Sequence, residues 1–178
     1  MHFVNALADA YASGARHSGH EVERIDVAAL DFDVLRDTKA WSKVAPASLR
    51  PAQAAFLAAD HLVFVYPLWM GCMPALMKAL LEQLTAGSFA IEAGEDGSKW
   101  TQKLKGKSAR VIVTMGMPAT AYRYFFGAHS LKSFKRNILN FAGVNPVRDT
   151  VIGMVDARGE TGRRRALRQL ERLGRAAK

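Results

Sequence analysis

The chain has 178 residues, of which 49% are hydrophobic and 23% charged, enough for one domain with a sizeable core. No apolar run approaches the roughly 20 residues needed to cross a bilayer. The start, Met1-His-Phe-Val-Asn, lacks the basic and apolar regions of a signal peptide, and the single cysteine, Cys72, excludes a disulfide framework or a multi-cysteine metal site. A cytoplasmic protein without a metal centre is expected. The net charge of +9 is unevenly spread: residues 158–178 hold eight basic and two acidic side chains. A basic terminal helix can attract nucleic acid or anionic lipid, but is more often a solvated face. No zinc or RNA-binding pattern accompanies it, so nucleic acid is not expected as a partner.

In chain order, residues 3–18 carry Phe3, Val4, Leu7, Ala8, Tyr11 and Ala15 on one stripe, which predicts a helix that Gly19 ends. Residues 20–27 alternate polar and apolar and predict a strand. Residues 28–51 are irregular, and a helix over 51–59 has Pro51 in its first turn. The run His61-Leu-Val-Phe-Val-Tyr66 suits a strand covered on both faces; Pro67 ends it, and Pro74 stands where a helix opens. Leu76, Met77, Leu80, Leu81 and Leu84 continue at helical spacing.

Residues 87–106 form a long connection with Gly94-Glu-Asp-Gly-Ser98 and Trp100, of a length usually functional or mobile. A buried-type strand over 109–114 exits into Met115-Gly-Met-Pro118. A helix over 130–141 has Ser130 as its predicted N-cap, a strand follows over 150–155, and a basic helix spans 160–176. The alternation argues an α/β sandwich with a parallel sheet of four recognisable strands: 20–27, 62–66, 109–114 and 150–155. One domain, 1–178, is expected.

In such sheets ligands sit at the carboxyl ends of the strands. Two strand-exit loops fall there. The first holds Trp69, Met70 and Met73 around Gly71, a reasonable wall for a flat ligand, although a loop that merely packs on the sheet is equally consistent. The second, 114–129, carries Gly116, Tyr122, Tyr124 and His129. Backbone N–H groups near Gly116 suit a ligand's acceptors, and Tyr122 and His129 suit proton supply to a substrate oxygen. Taken alone, a packed aromatic loop with a surface histidine explains it better.

Tyr66-Pro-Leu-Trp-Met-Gly-Cys-Met-Pro-Ala75 resembles the corresponding loop of the NAD(P)H:quinone oxidoreductase family, flavoproteins of flavodoxin-like fold. Gly116 and Tyr122 keep the family's six-residue spacing; His129 lies one residue beyond the pattern, and Met117 replaces a second glycine. The resemblance implies a three-layer flavodoxin-like sandwich binding FAD or FMN, using NAD(P)H, and reducing quinones or similar acceptors by two electrons. It implies flavin contacts from Pro67, Leu68, Trp69, Met70, Met115, Gly116 and Met117, with Tyr122 and His129 as catalytic residues. It also implies a homodimer that covers part of Tyr124, Phe125 and Phe126. The alternative is an ancillary regulatory subunit of a potassium efflux system, with a membrane transporter as partner and the basic helix as contact surface.

The sequence departs from the family at its amino end. It starts inside the family's first helix, without the central first strand and phosphate loop, leaving the N–H groups of His2, Phe3 and Val4 as anion donors. The leading expectation is a longer natural protein; a weak flavin binder and a substitute segment filling the gap are the alternatives.

Overall fold

The structure is a computed structural model and describes residues 2–41, 43–86, 89–93 and 100–177; at 92, 93 and 100 it describes the backbone alone. The helices are α1 (Phe3–His17), α2 (Thr38–Trp41), α3 (Arg50–Ala58), α4 (Ala75–Thr85), α5 (His129–Ser133) and α6 (Gly159–Arg175). The strands are β1 (His61–Pro67), β2 (Ile91–Ala93), β3 (Trp100–Gln102), β4 (Ser108–Thr114) and β5 (Val147–Ile152).

β1, β4 and β5 form a parallel sheet in that order, with His61 opposite Ser108 and Ala109 opposite Val147. β2 and β3 make a separate antiparallel pair. Period-two alternation gives the sheet two apolar faces. Leu62, Phe64, Tyr66, Val111 and Val113 meet Leu81 of α4 and Phe134 beyond α5 on one face. Ile112 and Ile152, with Val63 and Val65, meet Leu7 and Tyr11 of α1 and Ala166 and Leu170 of α6 on the other. This is the expected α/β sandwich with helices on both sides.

α1 and α6 pack unusually close. A Cβ on Gly14 would overlap the Glu171 carbonyl oxygen, and one on Gly174 would overlap the Tyr11 carbonyl oxygen. Only glycine lets the two backbones meet there.

Four local expectations need correction. Residues 20–27 are not a strand: they run without a ladder partner until the 3-10 turn Val27–Ala29. Arg24 pairs with Asp9 of α1, while Ile25 and Val27 pack against the Leu49, Leu80 and Leu84 cluster between α3 and α4. The alternation thus serves a helical surface rather than a sheet. Among the described residues, β1 carries β4 on one side and no strand on the other. The last strand begins at Val147 and ends at Ile152, three residues before the predicted start and end. Residues 130–141 are a short α-helix continued by wider turns over Phe134–Asn140. Its N-cap position is Ala128, at φ 48°, and Ser130 lies inside the helix. The 87–106 connection holds the β2–β3 pair; its Gly94–Ser98 segment and the Trp100 side chain lie outside the described residues.

No described helix is long and apolar enough to cross a membrane.

Candidate active site at the carboxyl ends of the strands

Parallel pairing brings the exits of β1, β4 and β5 to one edge of the sheet, and backbone hydrogen bonds lace them together. Leu68 N–H donates to the Thr114 carbonyl at 2.7 Å, and Met115 N–H to that of Ile152 at 3.0 Å. Met154 N–H reaches the Met117 carbonyl at 3.0 Å and Val155 N–H the Met115 carbonyl at 3.2 Å. Gly153 lies against this lacing: a Cβ there would come within 2.6 Å of the Met117 oxygen. The three loops are therefore one rigid shelf, because each is bonded to the next.

The first loop ends in a tight turn. Trp69 and Cys72 exchange two hydrogen bonds, each 2.9 Å, across Met70 at φ 48° and Gly71 at φ 75°. Positive φ at both central residues is the primed hairpin geometry. A non-glycine residue held there costs backbone strain of order 1 kcal/mol. The turn pushes Trp69 and Met70 into solvent, at 63% and 103% exposure, while Pro67 and Leu68 are half-buried. Cys72 is an exposed free thiol.

At the second loop Met115 is buried, Gly116 exposed and Met117 half-buried. The N–H groups of Gly116 and Met117 have no acceptor among the described residues. Tyr122 is 3% exposed, and its hydroxyl lies 2.9 Å from Ser130 Oγ. It also accepts the Leu131 N–H at 3.3 Å. His129 is exposed, its ring folded over Gly127: a Cβ on Gly127 would meet His129 Nε2 at 2.6 Å. Tyr124, Phe125 and Phe126 project outward at 85%, 83% and 52% exposure.

A charge cluster missed from the sequence fixes this aromatic segment. Asp149 on β5 receives Arg123 of the segment and Lys135 beyond α5 on its two oxygens. Burial alone would raise the Asp149 carboxyl, but the bonds from Lys135 and Arg123 hold it below the usual carboxylate range. Burial, then Tyr122, Cys72 and Asp149, push the Tyr66 phenol upward, so it remains a neutral core residue.

The amino end of α1 adjoins α6. His2 is exposed and Phe3 half-buried. The Asn5 N–H already donates to the His2 carbonyl at 3.0 Å, which leaves those of Phe3 and Val4 without an acceptor among the described residues, and the first turn carries no acidic residue. The Arg163 guanidinium lies 5.7 Å from the Phe3 ring centroid, and its Nη2 donates to the Val155 carbonyl at 3.4 Å. Helix end and cation thus add positive potential of the same sign.

The residues present fit a flavin in two places. The apolar wall of Leu68, Trp69 and Met70 faces solvent close to two unpaired N–H donors, as a planar ring with carbonyl and nitrogen acceptors requires. The α1 end suits a phosphate. Cavities of about 560 and 380 Å³ lie elsewhere, on α6 and between residues 31–48 and Gln83. Trp69, Met70 and Gly116 are exposed, so the loops present a shelf to solvent.

A parallel sheet between two helical layers, with loops laced across its carboxyl edge, defines a three-layer α/β protein. The chain belongs to the Flavodoxin-like fold family, whose model matches residues 1–173. It is 30% identical over 164 residues to "FMN-dependent NADH:quinone oxidoreductase 3" of Bacillus cereus, covering 79% of this chain and 72% of that one. It is 26% identical to "FMN-dependent NADH:quinone oxidoreductase 9" of Burkholderia lata, covering 96% and 89%. The structure titled "NAD(P)H:quinone oxidoreductase from Methanothermobacter marburgensis" superposes with a TM-score of 0.85 at 21% identity, over 100% of this chain and 93% of that one.

Proposed function

We propose that the chain is a flavin-dependent oxidoreductase that takes two electrons from NADH and passes them to quinones or similar acceptors, with FMN as the flavin. The observation that carries this reading is the shelf formed by residues 67–74 and 115–119, set in a chain similar to FMN-dependent NADH:quinone oxidoreductases over most of its length. The relatives' names favour FMN over FAD and NADH over NADPH.

When bound, the flavin supplies an acceptor and donor of hydride. The chain's own residues hold and shield it. Leu68, Trp69 and Met70 would cover the ring, with Pro67 setting the direction of the loop. Gly116 and Met117 would donate backbone hydrogen bonds, and buried Met115 anchors that loop. His2, Phe3 and the α1 terminus, with Arg163, would hold the phosphate. His129 meets solvent and is the first candidate to give a proton to the acceptor; Tyr122 is the second, its hydroxyl already engaged by Ser130. Trp69 and Met70 leave this shelf facing solvent. A second copy of the chain, docked on Tyr124, Phe125 and Phe126, would close it.

The test is direct. The purified chain, titrated with FMN, should acquire bound-flavin absorbance at about 450 nm and reduce a soluble quinone with NADH. A chain that retains no FMN and shows no FMN-dependent quinone reduction overturns the proposal.

A further inference from the structure

The α6 helix buries Ala166, Leu170 and Gly174 and turns its arginines outward. These arginines are not equivalent. Arg163 belongs to the α1 end, and Arg164 is paired with Glu160. Arg165, Arg168, Arg172 and Arg175 recur at helical spacing on one side and, with Glu171, line a shallow cavity of about 560 Å³. Arg175 holds Glu171 at 2.7 Å. Arg165, Arg168 and Arg172 are exposed and have no carboxylate partner among the described residues. Arg165, Arg168 and Arg172 thus lie within a ridge of roughly 15 Å where like charges repel, with no carboxylate partner among the described residues.

We propose that this face of α6 is an electrostatic dock for an anionic phospholipid surface. Guanidinium forks match phosphate oxygens in pairs, and the described part of the ridge uses arginine throughout. Its apolar side is spent on the core, so contact is with headgroups and not by insertion. Nucleic acid is the weaker partner. The 158–178 stretch has no Trp, Tyr or Phe on which bases stack. The choice of lipid also rests on the proposed quinone reduction, since quinones with long apolar tails reside in bilayers.

Cosedimentation with vesicles tests the dock without reference to turnover. Vesicles of phosphatidylcholine with one third phosphatidylglycerol should bind the chain at low salt and release it as salt rises; pure phosphatidylcholine should not. The triple variant Arg165→Gln, Arg168→Gln, Arg172→Gln should bind on the order of 100-fold more weakly, about fivefold per arginine. Its FMN-dependent reduction of a soluble quinone should be unchanged. The matching triple lysine variant should retain most of the binding, which ties the effect to charge and not to misfolding. Absence of binding to the anionic vesicles, equal binding by the glutamine variant, or tighter binding to a DNA duplex than to the vesicles overturns the proposal. Failure of quinone reduction with vesicle binding intact overturns the functional reading and leaves the dock standing.

Discussion

The Tyr122 hydroxyl lies 2.9 Å from Ser130 Oγ and accepts the Leu131 N–H, which ties the aromatic turn to the first turn of α5. Ser130→Ala should therefore cost about 1 kcal/mol, and Tyr122→Phe about 1–2 kcal/mol, because the latter also strands a buried N–H. His129→Ala should leave stability unchanged, since that side chain is exposed, and should slow quinone turnover on the order of 10²-fold if it supplies the proton. Thermal unfolding and steady-state rates on the three variants separate the roles. Full turnover in His129→Ala would remove it from the chemistry. An unshifted Tm in Ser130→Ala would remove the anchoring role of the Tyr122–Ser130 bond.

How much of this was legible follows from the range of each interaction. The β1–loop–α4 unit reads directly from the sequence, because an apolar run closed by Pro67 and Pro74 is local information. The stretch 20–27 does not: alternation says that one side is apolar, not which surface it will cover. Val147-Arg148-Asp149 looks too charged to open a strand. It does so because β5 is a sheet edge, and because Asp149 is neutralised by Arg123 and Lys135 from elsewhere in the chain. Ser130 has an N-cap's residue type, and only the fold shows that its hydroxyl meets Tyr122 instead.

The helix pair α1–α6 rests on two glycines. Gly14→Ala or Gly174→Ala drives a methyl into the opposite helix's carbonyl, and neither backbone can yield without separating the pair. Each should cost roughly 1–3 kcal/mol or more, a fall in Tm of about 3–10 °C for a chain of this size. Gly19→Ala is the control: its φ is +83° but no atom lies near, so only the backbone cost of about 1 kcal/mol applies. Equal losses at all three positions would show that steric contact between the helices is not the cause.

His61 gives the fold a pH dependence. Its ring lies between the Tyr11 hydroxyl at 2.9 Å and Ser108 Oγ at 2.7 Å. Burial, then Arg110, Arg148 and His20, lower its pKa from 6.5 to about 4. The unfolded chain therefore takes up this proton first as pH falls. The His61 ring has no effect on stability above pH 6.5, lowers it progressively between there and about pH 4, and adds no further loss below. Partial solvent access reduces the ideal 1.4 kcal/mol per pH unit, so a total on the order of 2 kcal/mol is expected. Urea unfolding from pH 7 to 4 should show this slope, and His61→Gln should flatten it. An undiminished slope in the variant would assign the effect to other groups.

Trp69 is held away from the core by the turn at Met70 and Gly71, and at 63% exposure it contributes little to folding. Trp69→Ala should leave Tm within about 1 °C, while FMN affinity falls roughly tenfold with the loss of a stacking wall. Fluorescence titration with FMN reads this directly. Unchanged affinity would mean that the indole faces away from the ring.

Association provides the last test. Tyr124, Phe125 and Phe126 are exposed side by side, with the Phe125 and Phe126 rings edge-to-face at 5.0 Å. Three adjacent exposed aromatics on one short turn make a contiguous apolar patch of the kind that marks interaction sites. The turn is also rigid, because Asp149 holds Arg123 within it and Tyr122 is buried beneath it. A rigid apolar patch loses little entropy on docking, which favours a self-complementary contact between two copies. Sedimentation velocity at tens of micromolar should give a dimer. Phe125→Glu should give a folded monomer, since burying an unpaired carboxylate at the contact opposes association by several kcal/mol. That monomer should hold FMN more weakly, because one wall of the shelf is gone. A wild-type chain that sediments as a monomer, or a Phe125→Glu chain that remains dimeric, would place the contact elsewhere.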